Sequence, residues 1–255
     1  AGTVQDLHYT YDPVGNVTRI EDAALDTVFH GNCQVDAVSE YIYDPLYRLL
    51  AATGREHAAQ SGFSFAPAGG DYRDFPFVGA ARLHDLQALR NYTEHYEYDP
   101  VGNPMRLRHQ APDGNFERNY TYDSPSLLEP HVNNNRLSRT SVRHGPMTLT
   151  ERYRHDAHGN MTQMPHLPGM AWDFLDRLRE THRQVVNHGT PEATCYVYDA
   201  SGQRARKIAL REDGSRRRER YYIGGFEIFR AYRAGRVEQQ RETLHVMDDT
   251  RRIAL

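Results

Sequence analysis

Tyr96-Glu97-Tyr98-Asp99-Pro100-Val101-Gly102-Asn103 is the stretch whose chemistry decides the fold. Tyrosines two residues apart lie on one face of a strand, because strand side chains alternate with a period of two. Asp-Pro-Val-Gly then spells a turn. Asp opens it through its side chain, Pro presets φ, and Gly takes the position where φ is positive. A type I turn followed by a left-handed glycine is a common way to close a β-hairpin. Met105-Arg106-Leu107-Arg108 follows as the return strand.

The octet recurs as Tyr9-Thr10-Tyr11-Asp12-Pro13-Val14-Gly15-Asn16 and as Tyr196-Val197-Tyr198-Asp199-Ala200-Ser201-Gly202-Gln203. Partial copies lie between. Tyr41-Ile42-Tyr43-Asp44-Pro45 carries Leu46-Tyr47-Arg48 where the glycine would fall, and Tyr120-Thr121-Tyr122-Asp123 keeps only the front half. Tyr153-Arg154-His155-Asp156-Ala157-His158-Gly159-Asn160 replaces one Tyr by His. Trp172-Asp173-Phe174 and Tyr221-Tyr222-Ile223-Gly224-Gly225 are weaker still. Tyr98 to Tyr122, Phe174 to Tyr198 and Tyr198 to Tyr222 are each 24 residues apart. Second turns stand at Pro112-Asp113-Gly114-Asn115 and Glu212-Asp213-Gly214-Ser215. One period is thus two strands and two turns, which about 24 residues accommodates.

A repeat of this kind asks what is built by stacking the unit. The expected fold is all-β: an antiparallel meander forming an extended curved sheet or β-spiral, with one inserted loop and a short helix. The tyrosines, aspartates and glycines of the copies read as structural rather than catalytic. The paired tyrosines stack as a ladder on one face, and Gly15, Gly102, Gly159 and Gly202 hold the turns.

The whole of 1–255 reads as one repeat segment. Residues 1–53 hold two units, 54–95 interrupt them, 96–230 carry the regular repeats and 231–255 continue as strands. Gly54 to Asp71 is rich in Ala, Gly, Ser and Pro and reads as a loop. Leu83, Leu86 and Leu89 among good helix formers predict a short surface helix over 80–92. The chain opens and closes in mid-pattern, the mark expected of a piece of a larger protein.

Composition agrees with a thin, wet sheet. Apolar residues make up 38% of the 255-residue chain, yet 17 tyrosines are present; mean hydropathy is −0.79. The net charge of −3 gives no general pull toward nucleic acid or a membrane. No apolar run reaches membrane-spanning length, and residues 1–7 lack the features of a signal peptide. Cys33 and Cys195 are the two cysteines, and nothing in their surroundings demands a bridge.

Candidate chemistry is thin. Asp12 and Asp99 superficially resemble a paired-aspartate site, but turn formation accounts for each Asp and its Pro and Gly neighbours. His155, Asp156 and His158 could ligate a metal, although i and i+3 on a strand face opposite ways. The basic run Arg204 to Arg220, ending at Tyr221 and Tyr222, has the composition of a nucleic-acid patch; a hairpin turning at Asp213-Gly214 explains it as well. Asn16, Asn91, Asn119 and Asn160 fit the glycosylation pattern, and several serve the repeat. No nucleotide-binding loop, hydrolase elbow or zinc-protease motif occurs, and neither a cofactor nor catalysis is expected.

The repeat resembles the YD or Rhs repeat of bacterial toxin shells. The copies at Tyr9–Val17 and Tyr41–Leu49, with Ala52-Thr53-Gly54-Arg55-Glu56 and His245-Val246-Met247-Asp248-Asp249-Thr250-Arg251-Arg252, look like the shell region of the C component of insecticidal toxin complexes. The resemblance covers most of the chain and is weakest over 57–92 and 126–150. It implies a hollow container in which strand ribbons spiral around a C-terminal toxin domain kept unfolded. The partners implied are the rest of the same shell protein, a B-type shell component and the enclosed toxin, with no nucleic acid and no direct membrane insertion. A segment that closes the shell and releases the toxin by aspartate chemistry would lie downstream. The implied location is a toxin complex exported by a bacterium. The alternative is an extracellular adhesion module that uses exposed Tyr and Arg.

Overall fold

The computed structural model describes residues 2–58, 85, 87–112, 114–144, 146–165, 167–183, 191–248 and 251–254. The regular elements among them are all β-strands. The chain divides into two compact units, residues 1–151 and 152–255.

In unit 1 the strands are β1 Leu7–Tyr11, β2 Val17–Asp22, β3 Val28–His30, β4 Cys33–Val35, β5 Val38–Tyr43, β6 Leu49–His57, β7 Leu89–Tyr98, β8 Pro104–Gln110, β9 Phe116–Thr121, β10 Arg139–His144 and β11 Met147–Arg152. Among the described residues they form a sheet in the order β1-β2-β5-β6-β7-β8-β9-β10-β11, with β3 and β4 as a separate hairpin. Within the sheet the strands keep chain order, as a meander requires, with the β3–β4 hairpin set aside between β2 and β5. The sheet is open, with β1 and β11 at its edges.

Unit 2 contains β12 Arg154–His155, β13 Met161–Gln163, β14 Gly169–Trp172, β15 Leu178–His182, β16 Ala193–Tyr198, β17 Arg204–Leu210, β18 Arg216–Ile223, β19 Phe226–Arg233, β20 Arg236–Leu244, β21 Val246–Asp248 and β22 Arg251–Ala254. Strands β14 to β20 make a second open sheet in strict chain order. Its pairs are antiparallel throughout.

The interruption at 54–95 is narrower than the sequence suggests. Strands β6 and β7 pair along their length, from Ala51 opposite His95 to His57 opposite Leu89. The inserted residues therefore connect two adjacent strands and leave the ladder intact. The helix expected over 80–92 is overturned at its end, because Leu89–Tyr92 open β7. A partner strand satisfies the backbone along every rung there, and helix propensity is a weak prior against that. Residues 80–84 and Leu86 lie outside the described residues, as does most of the expected loop.

Burial is sparse, as a single-layer sheet dictates. Val35, Ala52, Val142 and Tyr232 are among the buried apolar or aromatic side chains. Arg90, His109, Thr140, Glu219 and Glu227 are buried as well. Burying charge is costly unless it is paired and hydrogen-bonded, so pairing across strands has to carry part of the cohesion.

Candidate functional site

One turn is built repeatedly. In the octet that ends in Asn103, the Asp99 amide donates to the Asn103 carbonyl at 3.0 Å and the Gly102 amide donates to the Asp99 carbonyl at 3.1 Å. Asp99 Oδ1 accepts from the amides of Val101 and Asn103 at 3.0 and 2.8 Å, and its Oδ2 accepts from Asn103 Nδ2 at 2.8 Å. Asp12 makes the same set with Val14 and Asn16. Asp156 makes the core of it with Asn160, and Asp199 does so with Ser201 and Gln203. Gly15, Gly102, Gly159 and Gly202 take φ values of 96°, 99°, 98° and 83°. At Asp99, partial loss of water works against ionisation, but the hydrogen bonds from Asn103, Gly102 and Val101 outweigh it and lower the carboxyl pKa.

Two copies reach the same turn without glycine. Tyr47 and Asp176 occupy the left-handed position with φ of 62° and 56°. Asp44 Oδ1 accepts from the Leu46 and Arg48 amides, and Asp173 Oδ1 from the Leu175 and Arg177 amides. Arginine then replaces asparagine: Arg48 Nε donates to Asp44 Oδ2 at 2.6 Å and Arg177 Nε to Asp173 Oδ2 at 2.8 Å. Each guanidinium also lies over the next unit's tyrosine, Arg48 over Tyr98 at 5.1 Å and Arg177 over Tyr198 at 5.0 Å. Cation–π contacts of this kind stabilise by about 0.5–1 kcal/mol when exposed.

In five copies the second aromatic is a latch onto the preceding hairpin. Tyr43 donates its hydroxyl to the Val17 carbonyl at 2.9 Å, and Tyr98 to that of Leu49 at 2.9 Å. Tyr122 donates to Pro104 at 3.1 Å, and Tyr198 to Leu178 at 2.9 Å. Trp172 does the same through Nε1, reaching Met161 at 2.8 Å, so Trp172 holds the second-aromatic slot of its copy, and Phe174, the start of the 24-residue interval to Tyr198, lies exposed in the turn. Each acceptor directly follows the last turn residue, which is Asn16, Arg48, Asn103, Arg177 or Asn160. The first aromatics are less uniform. Tyr9 is exposed and stacks at 6.3 Å on Tyr11, the likewise exposed second aromatic of its copy. Tyr96 donates to Glu94, Tyr196 lies beneath Arg204 and Lys207, and Tyr41 and Tyr120 are half-buried. The copy at Tyr122-Asp123 enters a longer loop in which Ser138 Oγ donates to Asp123.

Charged side chains are buried in clusters in both units. In unit 1, Arg90 Nη2 donates to Glu56 Oε1 at 2.6 Å, and His109 contacts Glu94 at 3.1 Å and Glu56 at 3.2 Å. The His109 ring stacks between Tyr92 and Phe116, 5.3 and 4.7 Å away. Burial opposes its protonation, but hydrogen bonds to Glu56 and Glu94 and their charges prevail, and the pKa rises to about 9. In unit 2, Glu219 is 1% exposed and accepts from Arg206 Nε at 2.7 Å and Tyr232 Oη at 2.5 Å. Burial raises the Glu219 pKa, and bonds from Tyr232, Arg206 and Tyr221 more than reverse this.

The enzyme-like constellations do not assemble. Asp12 and Asp99 belong to the hairpins β1–β2 and β7–β8, and the β5–β6 hairpin separates them. His158 Nδ1 contacts Asp176 Oδ1 at 2.9 Å, beside an open cleft of about 380 Å³ that Asp156, Trp172 and Asp173 also line. Asp156 and Asp173 are already committed to turns. Among the described residues no three His, Cys, Asp or Glu side chains group as a metal site requires. Cys33 and Cys195 are free thiols, one exposed and one half-buried. The basic run forms the hairpin β17–β18, turning through Gly214 at φ 76°. The arginine turn partners and the tyrosine latches were missed in the sequence. The signal for the arginine partners was the fifth turn position, which is Asn, Gln or Arg in the six copies that close this turn.

An open, antiparallel sheet built from one Tyr-Asp hairpin defines the class: a YD-repeat protein. The chain is 32% identical over 229 residues to toxin subunit YenC2 of Yersinia entomophaga, and 32% identical over 231 residues to toxin subunit YenC1 of the same organism. Each match covers 89% of this chain and 22% of the relative, so the chain spans about a fifth of those proteins. The chain is therefore a Rhs/YD-repeat segment of the kind found in the C component of bacterial insecticidal toxin complexes. Its fold matches that of TcdB2-TccC3 solved without its hypervariable C-terminal region, with a TM-score of 0.64, 22% identity and coverage of 97% of this chain and 11% of that one. A TcdB2-TccC3-Cdc42 structure matches at a TM-score of 0.62, with the same identity and coverage. No protein-family model matches the chain.

Proposed function

We propose that residues 1–255 form one wall segment of a hollow YD-repeat shell that encloses a C-terminal toxin domain and helps deliver it. The segment's work is mechanical: it needs no cofactor and performs no catalytic step. The observation that carries this reading is the repeated turn and latch, which sets hairpin beside hairpin in open sheets. Such sheets leave unpaired edges that call for neighbouring strands. The toxin subunits it resembles are several times longer, which leaves room for the remaining wall and a cargo. Its partners would be the rest of that protein, a B-type shell component and the enclosed domain, in a complex exported by a bacterium.

Limited proteolysis of the full-length subunit, co-expressed with its B-type partner, tests this. The C-terminal domain should resist protease in the intact assembly. It should become sensitive when the wall is weakened by Tyr98→Ala with Tyr198→Ala. Equal digestion in both proteins would count against enclosure.

A further inference from the structure

Strands β16 to β20 of unit 2 carry an unbroken cross-strand row. Tyr196, Lys207, Arg220, Phe229 and Arg241 are register partners in turn. Residues directly opposite in antiparallel pairs share a face. Two positions along, Thr194, Ala209, Arg218, Ala231 and Gln239 form a second row. Arg204 lies over the rings of Tyr196 and Tyr222 at 5.9 and 4.8 Å, on the same face. On the other side of the first row, Glu227 stands opposite Tyr222. It is held by Arg220 Nη1 at 2.7 Å.

Arg204, Lys207, Arg218 and Arg241 have no carboxylate within 4.0 Å among the described residues. The opposite face behaves differently, since Arg206 and Arg216 both converge on Glu219 there. The positive excess is thus local to one face of a chain whose net charge is −3. Burial, together with Arg204 and Arg220, lowers the pKa of Lys207.

We propose that this face of unit 2 is a docking surface for an acidic, extended polypeptide segment. Charge complementarity selects the sign of the partner. With strands spaced about 4.8 Å apart, Lys207 and Arg241 lie three strands and about 14 Å from each other, a distance that same-side carboxylates at every second residue of an extended chain, about 7 Å apart, can span. Nucleic acid fits less well, because binding single strands relies on aromatic faces open to bases. Here Tyr196 carries Arg204 and Lys207, and Phe229 carries Arg220 and Arg241. This surface is independent of the enclosure reading and does not require it.

Fluorescence anisotropy on the 255-residue chain tests the assignment, with a labelled glutamate-serine repeat peptide as probe. A glutamine-serine peptide and an oligothymidylate serve as comparisons. The glutamate peptide should bind saturably and weaken steeply with added salt, and the glutamine peptide should not bind. Lys207→Gln with Arg241→Gln should weaken binding roughly tenfold, whereas Arg233→Gln, at the β19–β20 turn, should leave it unchanged. Circular dichroism checks folding, and Arg241→Gln alone, at an exposed position, gives a smaller loss in the same direction should the double variant unfold. Absence of glutamate-peptide binding, binding that survives the double variant, or tighter binding of oligothymidylate would overturn the proposal.

Discussion

At Gly102 the backbone takes φ 99°, and a Cβ built there would meet nothing within 4 Å. Substitution would therefore be opposed by backbone strain alone. Gly102→Val should cost about 1–3 kcal/mol in chemical denaturation. Gly102→Asn should lose markedly less, because Asn tolerates the left-handed region; equal losses would argue that something other than φ governs the site. His109 gives a second residue-scale prediction. Its folded pKa of about 9 lies above the ordinary 6.5. Its contribution to stability is thus fully present below about pH 6.5 and is lost as pH rises through about 9. Melting temperature should fall by a few degrees over that window, about 2–4 °C per kcal/mol at this chain length. His109→Asn should flatten the slope, and an unchanged slope would dissociate it from Glu56 and Glu94. The turn glycines could be placed from sequence because Asp-Pro-x-Gly allows few conformations. Tyr47 and Asp176 could not, since neither residue type announces a positive φ.

At the scale of the hairpin, the latch gives the second aromatic one shared role in five copies, which the first aromatic lacks. It joins a turn to the hairpin before it, so the spacing between copies is held by a bond as well as by strand length. Tyr98→Phe keeps the ring under Arg48 and removes only the hydroxyl bonded to Leu49. It should cost about 1 kcal/mol in urea unfolding, and Tyr198→Phe should behave alike. Arg48→Lys keeps the charge but loses the planar fork that spans Asp44, the Asp99 carbonyl and the Tyr98 ring. A loss of at least about 0.5–1 kcal/mol is expected; full retention would reduce Arg48 to a simple counter-charge. The strands and YD hairpins were legible because tyrosines at i and i+2 and a four-residue turn are local signals. The span over 80–92 was misread because leucines at intervals of three resemble a helix face. The pairing that makes Leu89–Tyr92 a strand comes from β6, more than thirty residues upstream.

For the molecule as a whole, low apolar content and an open all-β fold are one fact. Each sheet covers itself with aromatics and paired charges instead of closing on a thick core. Glu219 and His109 could not be picked out in the sequence, because their partners are assembled only by strand register across several hairpins. The proposed wall makes a concrete demand on the complete subunit. Electron cryo-microscopy of that full-length protein with its B-type partner is the most direct measurement. The account predicts that residues 1–255 appear as successive YD hairpins within a continuous β wall bounding an internal cavity that holds the C-terminal domain. A map in which these hairpins surround no cavity, or in which the C-terminal domain sits folded outside them, would contradict it.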